Sequence, residues 1–285
     1  MKEKIIKLIL FLCAFVSIFF LLGITITLFT ESLPIFKELN LLKFIFGKDW
    51  YPTYYPPSFG ILPLIVGTLV VTLGTMVVAV PLGLGAAIYI SEVASHRIKE
   101  ILKPAVELLA SVPSVIYGLF GMVFLAPLVQ KFFNIPIGLN AFTASIILGI
   151  MALPTVASIA EDAISSVPRS LREASFALGA NRWETITQTV VPAASSGIVA
   201  SIILGLGRAI GETMTVLMVA GGAAQIPGSI FEPVRTMTAT IAAEMGEAPM
   251  GSKHYQALFA IALVLFFITL AFNLLADFIA HRRKL

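Results

Sequence analysis

Cysteine is almost missing from this sequence. Cys13 is the only one in 285 residues, which excludes a disulfide within the chain, a cysteine-rich zinc site and CxxC redox chemistry. Charge is scarce too: Asp, Glu, Lys and Arg make up 12% of the residues, against roughly 25% in a soluble domain, so a water-soluble fold is disfavoured. Histidine is limited to His96, His254 and His281, too scattered for a catalytic triad or a metal cluster. Glu161 and Asp162 carry metal-capable oxygens without a convergent ligand set, and read as a solvated helix end. A GxxxxGK[ST] phosphate loop is absent.

What the chain has instead is apolar sequence, 58% of its residues. Charge-free stretches run over 8–30, 50–91, 108–130, 132–160, 185–207 and 255–276, each longer than the roughly 18 residues that mark a membrane-spanning helix. They predict an all-α, polytopic membrane protein with about six spanning helices, near 8–30, 61–91, 106–130, 141–162, 192–221 and 255–279. Lys2, Lys4 and Lys7 before the first run resemble a signal peptide, yet the run is too long and no small-residue cleavage site follows, so it reads as a retained helix.

Six crossings put both termini on one side. That side carries Lys2, Lys4, Lys7, Arg97, Lys99, Lys103, Arg169, Arg172, Arg182, Arg282, Arg283 and Lys284, twice the number on the other side, where Lys37, Lys43, Lys48, Lys131, Arg235 and Lys253 fall. Positive loops stay in the cytoplasm, so both termini are expected there. The net charge of +3 is spread between apolar segments rather than along a stripe suited to nucleic acid. Residues 1–60 form a first helix and an external segment, 61–280 the main helical bundle with a loop at 165–192, and 281–285 a basic tail.

The first external segment places Trp50, Tyr51, Tyr54 and Tyr55 among Pro52, Pro56 and Pro57, suited to a membrane-interface belt or to partner contact. The last, 222–254, is too polar to span. Pro63, Pro81, Pro113 and Pro127 permit kinks, while Gly67, Gly74, Gly83, Gly85, Gly118 and Gly121 permit close helix approach.

The loop SSVPRSLREASFALGANRWETITQTVVP, 165–192, reads as a short amphipathic helix capped by Ser166, with Pro168 early and Gly179 ending it in a left-handed turn. Leu171, Ala174, Ser175 and Leu178 share one face. In the fifth apolar stretch, GLGRAIGETMTVLMVAGG places Arg208 and Glu212 four apart, where they can pair on one helical face. A membrane arginine costs about 2.5–3.5 kcal/mol and so faces protein or water. Either the two charges lock helices together, or Arg208 offers its planar fork to an oxyanion or gate, with Gly207 and Gly211 leaving room beside it. Glu212 could accept the proton of hydrogen phosphate, which sulfate lacks, or park Arg208 between cycles. Thr213 and Thr215 either add hydrogen bonds there or bond back to the preceding turn.

The loop resembles that of type I ABC importer membrane subunits in Glu173, Ala174, Gly179 and Pro192, departing at Ser175 for alanine, Thr189 for isoleucine and Val191 for leucine. The resemblance implies that 169–180 docks on an ATPase subunit, with Arg169, Arg172, Glu173, Ala174, Ser175 and Gly179 coupling the two. The runs ELLASVPSVIYGLFG, ALGANRWETI, GLGRAIGETMTVLMVAGG and VRTMTATIAAEMGEAPMGSKHYQALF further resemble phosphate-importer permeases of the PstC type.

That likeness implies a non-catalytic, multi-pass subunit in a bacterial or archaeal cytoplasmic (inner) membrane. Its partners would be a PstA-type permease in a heterodimer, two ATPase subunits and an external phosphate-binding protein. Phosphate is the implied cargo, with Arg208, Glu212, Thr213 and Thr215 along the pathway. No cofactor or metal is expected in this chain, since the partner ATPase binds ATP and Mg. A permease for sulfate or molybdate, and a carrier or channel working alone, remain the competing readings.

Overall fold

A computed structural model describes residues 2–282, so Met1 and the tail residues Arg283, Lys284 and Leu285 lie outside the described part. Among the described residues, five helical segments are long and apolar enough to cross a membrane: Ile6–Glu38, Leu62–Val93, Ser114–Phe133, Ala141–Ser165 and Lys253–Leu275. A bent pair, Arg182–Ala193 and Ser195–Gly211, meets at 71° and makes a sixth if it is one span.

In chain order, α1 (Lys2–Glu38) is followed by the short α2 (Leu41–Phe46) and a hairpin of β1 (Trp50–Tyr51) and β2 (Ser58–Phe59). Next comes α3 (Leu62–Ile88), which runs into a π turn at Tyr89–Val93, and α4 (His96–Ser111). The third span is α5 (Ser114–Phe120), a π turn at Gly121–Leu125 and α6 (Ala126–Phe133). The long α7 (Ala141–Ser165) precedes α8 (Arg169–Ala177) and α9 (Arg182–Thr185). A π turn at Ile186–Val190 and α10 (Val191–Ala193) lead to α11 (Ser195–Gly211) and α12 (Met214–Val219). The chain ends with α13 (Met237–Glu244) and α14 (Lys253–Arg282).

Two spans are shorter than hydropathy suggests, because each is broken. Pro113 lacks an N–H and disfavours helix at Val112, so α4 stops at Ser111 and the third span starts at Ser114 rather than near 106. The fifth stretch begins at Ser195 and breaks at Glu212, whose extended backbone (ψ 133°) separates α11 from α12. The segment 222–254 does not simply lie over the bundle: α13 buries Met237, Thr238, Ala239 and Thr240, and the Met237 N–H donates to Thr68 Oγ1 at 3.0 Å.

The α3–α7 pair forms the centre. Gly74 lies against Ser145 and Gly149 against Val78, where an added methyl would strike the facing side chain. Gly85, by contrast, faces open space. Three apolar clusters stack along the bundle. One is built on Ala160, Ile164 and Val190, a second on Leu148, Val216 and Val219, and a third on Ile35, Trp50, Leu64, Met237 and Leu258. The last cluster joins residues of the first sixty to α13 and α14. The end holding Lys99, Lys103 and Arg172 is called the basic end here, and the end holding Trp50 the hairpin end.

Candidate functional site: a break around Arg208 and a braced loop

Arg208 lies in the last turn of α11, half-buried, and its Nε is buried without a hydrogen-bond partner among the described residues. The ion pair that helical spacing allows with Glu212 does not form among the described residues. Helix ends at Gly211, and the Glu212 carboxylate turns onward to accept the Thr215 N–H at 3.1 Å, capping the next helix. Its backbone carbonyl accepts the Thr238 hydroxyl of α13 at 2.7 Å, which holds the break extended. The one-face geometry required an unbroken helix.

Thr213 Oγ1 donates to the Gly211 carbonyl at 3.3 Å. Thr215 reaches across rather than back: its hydroxyl donates to the Ser114 carbonyl at the start of α5, at 2.9 Å, and lies 3.8 Å from Met151 Sδ. Met151 is ten residues into α7, so the break sits about 15 Å along that span, well inside it. The Tyr117 hydroxyl donates to the Leu109 carbonyl at 2.9 Å. Cβ positions at Gly207 and Gly211 meet open space. Two interrupted helices thus bring polar backbone and an arginine with an unused donor to one level, the arrangement in which irregular backbone inside a membrane lines a pathway.

The 165–192 loop is a helix closed by a Schellman turn: Gly179 has φ +89°, its N–H bonds the Phe176 carbonyl at 2.9 Å, and the Ala180 N–H bonds Ser175 at 3.2 Å. Ser166 does not cap it. Its hydroxyl donates to Ala163 at 2.7 Å at the end of α7, and Pro168 takes the capping position. Ser175 and Thr189, the two polar departures from the family pattern, touch each other at 3.3 Å, and Ser175 also lies 3.0 Å from the Thr185 hydroxyl. A buried three-hydroxyl knot therefore stands where the pattern has apolar packing. Arg169, Glu173 and Ala174 are exposed, as are Leu171, Phe176, Trp183 and above all Leu178 at 90%.

Arg172 is not part of that exposed face. Its Nε and Nη2 grip the Glu92 carboxylate, with Nη2–Oε1 at 2.5 Å, while Nη1 donates to the Val167 carbonyl and Nη2 to that of Ile164. Glu161, expected at a solvated helix end, is 2% exposed and receives Lys99 at 2.7 Å, Lys103 at 2.6 Å and the Ser165 hydroxyl at 2.7 Å. Asp162 is exposed but binds Lys103 at 2.7 Å. Hydrogen bonds to Asp162 and Glu161 push the Lys103 pKa up, so this ammonium keeps its charge through the physiological range.

At the hairpin end Trp50 is 2% exposed, not an interface anchor, and its indole N–H donates to Glu244 at 3.1 Å. Glu244 also takes Arg235 at 2.6 Å and His254 at 2.8 Å. Tyr51, Tyr54 and Tyr55 stay exposed. The sequence assigns no ion-pair role to Glu92, Lys103, Glu161 or Glu244, because each has its partner on another element. One signal was available, Asn181 followed three residues later by Glu184, which forms a capping box opening α9.

The family described as "Binding-protein-dependent transport system inner membrane component" matches residues 79–285. This chain belongs to that family. It is 38% identical to a probable ABC transporter permease protein, YqgH, of Bacillus subtilis (strain 168), over 95% of this chain and 89% of the relative. It is 35% identical to the phosphate transport system permease protein PstC of Mesorhizobium japonicum, over 91% and 84%. The fold is similar to a bacterial alginate ABC transporter solved with its periplasmic protein (TM-score 0.68, 16% identity, 96% of this chain and 94% of that one). The MetNI methionine ABC transporter, inward facing, aligns at TM-score 0.57 and 18% identity over 79% and 94%. The chain is therefore a multi-pass ABC importer permease, a membrane subunit rather than an enzyme.

Proposed function

We propose that this permease conducts inorganic phosphate inward in an ATP-driven importer, receiving it from an external phosphate-binding protein. The observation that carries the reading is Arg208, whose buried Nε has no partner among the described residues and stands at a helix break inside the membrane-spanning bundle. A guanidinium with a spare donor beside open backbone suits an oxyanion, and the relatives named for phosphate transport support phosphate among the oxyanions. Glu212, with one oxygen on Thr215, keeps acceptor capacity for the proton of hydrogen phosphate.

In this reading both termini and the basic end are cytoplasmic, and the exposed Leu171, Phe176, Leu178 and Trp183 face an ATPase subunit. A PstA-type permease completes a heterodimer. The two ATPase subunits bind ATP and Mg, and this chain holds no cofactor. Reconstitution with the partner permease, ATPase and binding protein tests it through ATP-dependent phosphate uptake with sulfate and molybdate as competitors. Uptake resistant to both is expected. Uptake of sulfate or molybdate in place of phosphate overturns the substrate, and ATP-independent flux through this chain alone overturns the importer role.

A further inference from the structure

Arg172 sits on the loop helix that the proposed function assigns to the ATPase, yet its charge is spent entirely inside the chain. Only 18% of the Arg172 side chain and 12% of that of Glu92 are exposed. The guanidinium fork meets the Glu92 carboxylate with two nitrogens, a geometry that fixes orientation as well as distance. Its remaining donors reach the Ile164 carbonyl near the end of α7, which also accepts the Val167 N–H at 3.3 Å, and the Val167 carbonyl just beyond that end. A cation at a helix C-terminus also gains from the helix dipole. Glu92 is engaged from a second side as well, because Arg182 of α9 donates to its backbone carbonyl. Both arms of the loop therefore hold the π turn that ends α3.

From that turn, close packing continues to the substrate break. Val156 of α7 is fully buried between glycines of two other helices: an added methyl on Gly83 of α3 would meet it at 2.9 Å, and on Gly205 of α11 at 2.6 Å. Gly205 lies three residues before Arg208. A rigid α3–α7 pair pushed at its basic end has no slack at Val156 with which to spare α11.

We infer that Arg172 and Glu92 are positioning residues that transmit motion of the loop helix to the α3–α7 pair and so to Arg208, without touching the ATPase. The inference rests on the importer reading. The exposed face of α8 receives the stroke, and this pair converts it into movement of the bundle instead of bending of the loop.

The test uses the complete reconstituted complex carrying Glu92→Gln, Arg172→Ala or Arg172→Lys. It measures three quantities: ATPase subunit retained on purification, ATP hydrolysed, and substrate moved per ATP. Glu92→Gln decides the matter, because Glu92 is on α3 and not on the exposed face of α8. The expected result is unchanged ATPase retention, continued hydrolysis and a fall in substrate per ATP of at least about fivefold, the lower end of coupling between two sites. Arg172→Lys should recover part of the ratio.

A wild-type ratio in Glu92→Gln overturns the inference. Loss of the ATPase subunit in that variant also overturns it, by making the pair a docking or folding element. The ratio is read with whichever oxyanion the wild-type complex moves, so a wrong substrate assignment shows in the wild type and leaves this comparison intact.

Discussion

Removing the Glu161 carboxylate should loosen the basic end measurably. In Glu161→Ala two ammonium groups, held at 2.6 and 2.7 Å, lose their shared partner, and the Ser165 hydroxyl loses an acceptor. Deleting one member of a buried ion pair costs about 3–5 kcal/mol when the other charge is stranded. Lys99 and Lys103 are about one-third exposed and can rehydrate, and Lys103 keeps Asp162, so the lower end, about 3 kcal/mol, applies. For a chain of this size that is a fall of roughly 6 °C in apparent melting temperature. Glu161→Gln, which keeps one acceptor oxygen but turns an NH2 donor toward a lysine ammonium, should lose nearly as much. Asp162→Asn, at 63% exposure, should cost no more than about 1 kcal/mol. Thermal melting of the purified protein in detergent at two salt concentrations provides the assay. Melting of Glu161→Ala within about 1 °C of wild type would refute the view of Glu161 as the tie between α4 and α7.

Three further outcomes are expected. Trp50→Phe keeps the ring but strands part of the Glu244 acceptor capacity, and should cost about 1–2 kcal/mol, read as faster proteolysis of the hairpin. Gly179→Ala forces a Cβ into a left-handed turn and should cost about 1–2 kcal/mol, lowering the yield of assembled transporter. Raising the pH should leave the α4–α7 contact intact until strongly alkaline conditions. A group whose folded pKa is raised stabilises fully below its ordinary value and loses that only as pH climbs through the raised one, so loss of the Lys103 contribution at neutral pH, read from melting curves, would contradict the geometry.

Much of the architecture was legible because hydropathy and turn chemistry are local. Six apolar stretches, Gly179 and the short amphipathic helix needed no knowledge of neighbours. The break at Glu212 was not legible, since helical spacing can run through Arg208 and Glu212 and it is Thr238, on a distant element, that holds the backbone extended. Hydropathy likewise merged the end of α4, from about residue 106, with the third span, although Pro113 marked the boundary.

The sequence by itself determined that this is a membrane protein, where its apolar segments lie and which loop carries the importer pattern, because these follow from composition, period and short motifs. Tertiary structure alone decided what each charge does. Arg172 looked like a contact for a partner until helix packing brought Glu92, 80 residues away, against it. Trp50 looked interfacial until Glu244, 194 residues away, took its N–H. The reason is physical: a charge in a low-dielectric bundle is governed by whichever partner packing brings within about 3 Å, and one-dimensional sequence carries no record of that distance.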